Sequence, residues 1–263
     1  MRGFCFKSAV VVLCFFFCPV ENVFSGFAQG VNLYLDASDE EWGLIESIFY
    51  PSKRSPVSYP SFIHAKRILV LGDGFSIKWN SNAEVFQSYL QSYLGSLPEI
   101  YKTDLECPPD LDGSSQRNLH YKRVDHRQVF PFEDGMFDVI SMSYGLCLCQ
   151  CSQNFQKEQS LITPGLKSGV REMTSCGGID FNTGSFFFFL SEVARVLNSR
   201  QPHAVAFLHG PQDTVGEQKV VPIAVQLIPA LEQYYSQLSF RLVFLKSSKG
   251  PVFQGVYIRV RKF

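Results

Sequence analysis

The sequence lacks an excess of charge of either sign, because its 263 residues contain 24 lysines and arginines and 24 aspartates and glutamates. No basic field is therefore available to recruit nucleic acid or an anionic lipid surface by charge alone. The sequence also lacks internal repeats, which excludes solenoid and propeller arrays. A chain of this length and ordinary hydrophobic content predicts one globular domain that binds a small or neutral partner.

A long apolar run of the kind that spans a bilayer comfortably is missing at the amino terminus. The run at residues 9–20 is too short for that purpose, and Arg2 and Lys7 precede it. This layout is typical of a secretory signal peptide, and cleavage after Ala28 would meet the requirement for small residues. We therefore expect residues 1–28 to be a signal peptide or N-terminal hydrophobic segment. Cleavage would export the chain, to the periplasm or outside the cell, with no stable membrane span; without cleavage it would be membrane-anchored or cytoplasmic.

Cys-x-x-Cys pairs are absent as well, although the sequence has eight cysteines. Cys147, Cys149 and Cys151 alternate, so in an extended chain they face one side, and Cys176 follows in a glycine-rich segment. Structural zinc sites favour Cys-x-x-Cys knuckles, so zinc is the weaker alternative and we predict no metal site. A disulfide between Cys176 and one of the other three is expected in an exported chain, whereas small buried thiols are the alternative in the cytosol.

Strand and helix patterns alternate along the chain after an N-terminal helix and linker at residues 29–65. The predicted strands are RILVLG, EIYKTDLE, LHYKRVDHRQVFPF, FDVISMSYG, HAVAFLHG and a hairpin in FRLVFLKSSKGPVFQGVYIRVRK. The predicted helices are SNAEVFQSYLQSYLGSLP, FFFFLSEVARVLNS and VPIAVQLIPALEQYYSQLS. Residues 66–263 are thus predicted to form a three-layer α/β domain with a mostly parallel sheet, a C-terminal antiparallel hairpin and an insertion at about residues 150–183.

A tight Gly-Asp-Gly turn, Gly72 to Gly74, stops the first apolar strand of this domain. Ligands of open α/β sheets lie at the carboxyl ends of the strands, where a glycine turn lets the backbone approach them. Asp104 ends the second predicted strand and Asp125 the third. Each acid alone fits a solvated strand end or a cap equally well, but their joint order favours a ligand site.

These segments resemble class I S-adenosylmethionine-dependent methyltransferases in order and spacing, from Lys66 onward. The most specific piece is FPFEDGMFDVISM, which is similar to the family's entry into its fourth strand. LSEVARVL is similar to the family's helix before the fifth strand. The resemblance implies a Rossmann-like methyltransferase fold with a mostly parallel seven-stranded sheet and S-adenosylmethionine as the cofactor.

The resemblance also implies roles for particular residues. Asp104 would bind the ribose hydroxyls, with Glu106 as the competing choice. Asp125 would meet the adenine amino group, and the backbone near Ser143 would flank the methionine portion. Gly72 and Gly74 would form the turn that the cofactor approaches.

The sequence departs from the family pattern in the first loop. Val70 stands in place of an acid and cannot accept hydrogen bonds, while Ser76 stands in place of a third glycine. Asp73, inside the turn, could substitute in part by meeting the ammonium or sulfonium of the cofactor. These departures keep open a second function, a catalytically silent methyltransferase-fold binding or scaffold protein of the secretory pathway or cell envelope. An NAD-linked oxidoreductase would need a glycine where Ile77 stands.

A general base is not obvious, since many methyl transfers need only alignment of nucleophile and sulfonium in a site without water. His209, at the end of the fifth predicted strand, is the first candidate for a catalytic residue. Tyr144 and His126 are weaker candidates. The sequence therefore predicts a methyltransferase for an unidentified small-molecule acceptor.

Overall fold

The protein is described here by a computed structural model. It describes residues 34–35, 43–45, 59–72, 82–93, 97–104, 107–142, 183–210, 214–247 and 250–261. The predicted signal segment and nearly all of the predicted insertion lie outside these residues. So do Asp73, Gly74, Ser76, Ile77, Glu106, Ser143, Tyr144, Cys147, Cys149, Cys151 and Cys176.

The described strands form one nine-stranded sheet. They are β1 (Tyr34–Leu35), β2 (Arg67–Leu71), β3 (Glu99–Asp104), β4 (Ser115–Gln116), β5 (Leu119–Arg123), β6 (Val139–Met142), β7 (Val205–His209), β8 (Leu238–Ser247) and β9 (Gly250–Val260). Their order in the sheet is β1-β8-β9-β7-β6-β2-β3-β5-β4. The order therefore reverses at β2, because β3 and β5 follow on one side and β6 and β7 on the other.

The seven predicted strands are all present as β2, β3, β5, β6, β7, β8 and β9. The central strands run parallel to one another, and β9 lies antiparallel between β7 and β8. The mostly parallel sheet with a C-terminal antiparallel hairpin is thus confirmed. Two short strands, β1 and β4, extend it at its edges.

The helices with complete bounds are α1 (Pro60–Ile63), α2 (Asn82–Tyr93), α3 (Thr183–Val196) and α4 (Thr214–Tyr234). Residues 43–45 are also helical, inside the predicted N-terminal helix. In the described part of the chain, no helix has both the length and the apolar character needed to cross a membrane.

The core has two halves, one on each face of the sheet. In β2, Ile68 and Val70 point to the face that α2 covers, while Leu69 and Leu71 point to the face that α3 and α4 cover. All four side chains are fully buried. A strand covered on both faces reads as a continuous apolar run, which is why RILVL could be predicted as a central strand. The three layers and the strand order make this a Rossmann-like α/β fold.

Candidate functional site

The candidate site lies at the carboxyl ends of β2, β3 and β5, which are neighbouring parallel strands. Gly72 follows the last residue of β2, Asp104 is the last residue of β3, and Asp125 lies just beyond β5. The structure therefore brings these three predicted residues to one edge of the sheet. Because the strand order reverses at β2, this edge is a topological switch point, where open α/β sheets bind their ligands.

Gly72 has a backbone φ of 63°, in the left-handed region that glycine adopts without a steric penalty. Among the described residues, the atom nearest to the place where a Cβ would stand is Cε1 of His126, at 3.6 Å. The turn at Gly72, called the glycine corner below, is therefore bordered on one side by an imidazole.

Asp104 joins the ends of β3 and β5 through its backbone. Its carbonyl oxygen accepts hydrogen bonds from the backbone N–H groups of Val124, at 3.2 Å, and Cys107, at 3.4 Å. The backbone of Asp104 is thus fixed at the carboxyl end of β3, and its side chain is partly open to solvent.

Asp125 holds a dense set of local hydrogen bonds. Its Oδ1 accepts the backbone N–H of Arg127 at 3.0 Å and Nε of the same residue at 2.8 Å. Its Oδ2 accepts Nη2 of Arg127 at 2.8 Å and Nε2 of Gln128 at 3.4 Å. The hydrogen bonds from Arg127 are the main reason that the pKa of Asp125 is lowered. Since a carboxylate has about four lone-pair sites, a ligand amino group would have to displace one of these donors.

His126 borders the same site, although the sequence made it only a weak candidate. The residue is 4% exposed, and the centroid of its ring lies 6.0 Å from that of Phe130 and 6.0 Å from that of Phe189. Its burial depends on α3, which is distant in sequence, so the pattern of residues could not reveal it.

His209 ends β7 at the same edge of the sheet and is 3% exposed. Burial lowers its pKa from 6.5 to about 4, so its imidazole is neutral at neutral pH. A β-bulge lies beside it, because Val243 pairs with Gly255 while Phe244 pairs with Phe253. Bulges of this kind often re-aim side chains next to active sites. A catalytic role for His209 stays a prediction.

Val70, which replaces the acid of the family pattern, is fully buried. It packs in the core cluster that includes Ile68 and Phe86. Its carbonyl oxygen accepts the hydroxyl of Thr103 at 3.0 Å. The side chain thus serves the core and offers no acceptor to a ligand.

A separate cavity of about 660 Å³ lies at the amino ends of β6, β7 and β8. Among the described residues, its walls include no predicted site residue; they include Asp134, Arg195, Arg200, Tyr234 and Gln237. In the same part of the chain, no cluster of three or more His, Cys, Asp or Glu residues is arranged to hold a metal ion. Cys107 is a buried free thiol.

No protein-family model matches the sequence, and none of the curated proteins matches it. The fold is similar to that of solved methyltransferases. The trans-methyltransferase CalH, in complex with SAH, matches with a TM-score of 0.40 and 14% identity over 74% of this chain and 51% of its own. An O-methyltransferase from Bacillus cereus, in complex with SAH, matches with a TM-score of 0.34 and 13% identity over 96% of both chains.

The CMeT domain of the citrinin polyketide synthase matches with a TM-score of 0.44 and 9% identity over 86% of this chain and 58% of its own. The chain therefore spans about half the length of the first of these structures, 51% of CalH. At such identities and TM-scores, the fold rests on the strand order described above.

Proposed function

We propose that the chain is an S-adenosylmethionine-dependent methyltransferase that acts on an unidentified small-molecule acceptor. One observation carries the proposal: Gly72, Asp104 and Asp125 lie at the carboxyl ends of three adjacent parallel strands, where the strand order reverses. The resemblance of the sequence to class I methyltransferases gives each of them a role. Their arrangement suits an extended adenosyl ligand, because the residues follow one another across neighbouring strands.

In this proposal the glycine corner would lie against the cofactor. The carboxylate of Asp104 would accept hydrogen bonds from the ribose hydroxyls, and Asp125 would accept one from the adenine amino group in place of a present donor. Asp73, Gly74 and the backbone near Ser143 would surround the methionine portion.

His209 would face the acceptor from the end of β7. Its depressed pKa makes it a neutral hydrogen-bond partner rather than a strong base. Alignment of the acceptor with the sulfonium would then supply most of the catalysis.

The alternative is a catalytically silent methyltransferase-fold protein. The buried Val70 and the occupied carboxylate of Asp125 favour it, since both reduce the number of groups free to hold the cofactor. The two functions predict different results for cofactor binding. The methyltransferase must bind S-adenosylmethionine, whereas a silent relative has no need to bind it.

Calorimetric titration of the full chain with S-adenosylmethionine and S-adenosylhomocysteine tests the proposal. We expect micromolar binding, and we expect Asp104→Ala to weaken it by roughly 100-fold through loss of the ribose contacts. Glu99→Ala is the matched control, because Glu99 is a partly exposed acid at the amino end of the same strand, where it pairs with Arg67 at 2.8 Å. Absence of both heat and thermal stabilisation at millimolar ligand would leave the silent protein as the function.

We also propose that the chain is exported after cleavage behind Ala28. Sequencing the amino terminus of the protein from its native cell is the test. The expected first residue is Gln29, and a chain that retains its first residues would contradict cleavage. Counting free thiols under denaturing conditions then separates a disulfide at Cys176 from plain thiols.

A further inference from the structure

The loop FPFEDG, residues 130–135, is held to α3 by two side chains of that helix. Oε2 of Glu192 accepts the backbone N–H of Phe130 at 2.7 Å. The guanidinium of Arg195 donates to the carbonyl oxygen of Phe130 at 3.0 Å and to that of Phe132 at 2.8 Å. Arg195 also donates to Oδ1 of Asp134 at 2.7 Å. Most of these bonds reach backbone atoms, so they fix the path of the loop.

Glu192 and Arg195 also bind each other, through Nε at 2.9 Å and Nη2 at 2.7 Å. Burial by itself raises the pKa of Glu192, but hydrogen bonds from Arg195 and Phe130 outweigh it and lower that pKa. The hydrogen bond to Glu192 is also the main reason that the pKa of Arg195 is raised. The pair is therefore charged at neutral pH, and the planar guanidinium can serve several acceptors at once.

The FPFEDG loop contacts the candidate site through its first residue, Phe130. Phe130 is fully buried, and its ring packs edge-on against His126. His126 in turn lies against the glycine corner at Gly72. A continuous set of contacts thus runs from Glu192 through Phe130 and His126 to the corner where the cofactor is proposed to lie.

We propose that Glu192 and Arg195 are positioning residues for the ligand site: by fixing Phe130 they hold His126 against the glycine corner. This proposal rests on the proposed function for its effect on ligand binding, but not for its effect on His126. It also explains why FPFEDG and LSEVARVL occur together in the sequence. One motif supplies the loop and the other supplies the carboxylate and guanidinium that hold it.

The chain offers a matched control on α4. Glu232 accepts the backbone N–H of Phe240 at 2.8 Å and Nη1 of Arg241 at 2.8 Å. Oε2 of Glu232 also pairs with Nη2 of Arg261 at 2.8 Å. The chemistry resembles that at Glu192, because a helix glutamate binds a phenylalanine amide and arginine, here two arginines. These partners lie at the start of β8 and just after β9.

The test compares Glu192→Gln with Glu232→Gln in the full chain labelled with ¹³C at histidine Cε1. The His126 resonance is assigned with His126→Gln. We expect Glu192→Gln to shift or broaden that resonance, whereas Glu232→Gln leaves it in place. Arg195→Lys is the second variant, because lysine keeps the charge but cannot make the same set of bonds, and the same direction of change is expected.

The affinity for S-adenosylhomocysteine is measured on the same variants. If the loop of the Glu192→Gln variant holds its wild-type position only about one tenth of the time, the variant should bind S-adenosylhomocysteine about tenfold more weakly. Glu232→Gln should leave the affinity unchanged. An unchanged His126 resonance in both Glu192→Gln and Arg195→Lys overturns the positioning role. Failure of the wild-type chain to bind would instead overturn the proposed function, since the His126 resonance needs no ligand.

Discussion

Two aspartates at opposite ends of the parallel strands, Asp138 and Asp125, show what each end of the sheet does. Asp138, at the amino end of β6, is 4% exposed. It accepts the backbone N–H of Lys66 at 2.7 Å and Nδ2 of Asn198 at 2.8 Å, residues far away in sequence. Asp125, beyond the carboxyl end of β5, is bound by side chains and backbone only two or three residues away.

The two aspartates differ in the free energy needed to break their hydrogen bonds. Moving Asp138 would break its part-buried hydrogen bonds to Lys66 and Arg67 at the start of β2 and to Asn198 before β7 together, so these hydrogen bonds stabilise the fold. The side chains that hold Asp125 are at the surface, where ion pairs contribute little, and they can rotate away. The amino end is therefore built for stability, while the carboxyl end keeps carboxylates that can change partners.

The largest expected effect comes from Asp138→Ala. Removing this acceptor takes the partner from three part-buried donors at once, so the free energy of unfolding should fall by about 3 kcal/mol in urea denaturation. Asp138→Asn, which keeps one acceptor oxygen, should lose less. The affinity of the folded fraction for S-adenosylhomocysteine should stay the same. A stability loss no larger than that of an ordinary surface substitution would break the comparison.

The second effect tests the carboxyl end through His209. Its pKa is 6.5 when unfolded and about 4 when folded, so between these values the unfolded chain binds a proton that the folded chain does not. Stability therefore falls as the pH drops, by about 2 kcal/mol between roughly pH 6.5 and 5 for this group.

His209→Gln should lose that part of the pH dependence, measured as unfolding free energy at several pH values. His203→Gln is the control, since His203 is partly exposed and stacks on His64. Equal pH slopes for wild type and His209→Gln would contradict the burial argument.

A smaller effect separates strain from ligand contact at the glycine corner. Gly72→Ala places a Cβ at φ 63°, which should cost about 1 kcal/mol of stability. Gly113→Ala is the matched control, because Gly113 has φ 81° and no atom of the described residues lies within 4 Å of its Cβ position. Both variants should lose similar stability, but only Gly72→Ala should weaken S-adenosylhomocysteine binding. Equal affinities would place the ligand elsewhere.

The smallest effect is a gain. Arg127→Gln removes the charged competitor from Asp125, and binding of S-adenosylhomocysteine should tighten about threefold, the scale of an exposed ion pair. Lys122→Gln, which removes the partner of Asp112, controls for the loss of one positive charge. Weaker binding by Arg127→Gln would mean that Arg127 itself holds the ligand.

Most of the sheet could be predicted because its strands are apolar runs bounded by clear turns. β1 and β4 could not, since each has two residues and β4 is polar and exposed. The turn after β4 has positive φ at Arg117, 47°, and Asn118, 68°. Such turns are usually marked by glycine, so this one gave no sequence signal.

The positions of the site residues could be predicted, but their environments could not. Gly72, Asp104 and Asp125 were found because strand ends in a parallel sheet share one edge. The ion pair between Asp125 and Arg127 and the burial of His126 depend on side-chain packing. The start of α4 was also missed, because Pro222 suggested a helix beginning near Val221 while the helix begins at Thr214 and includes that proline.

The antiparallel placement of β9 has a consequence for biosynthesis. Among the described strands, β8 reaches β7 only through β9, which is translated after it. While β8 has emerged from the ribosome and β9 has not, the backbone groups on the facing sides of β7 and β8 have no neighbour to pair with. The nascent chain then exposes unpaired strand edges. A pause in translation before β9 would therefore favour misassembly and capture by chaperones.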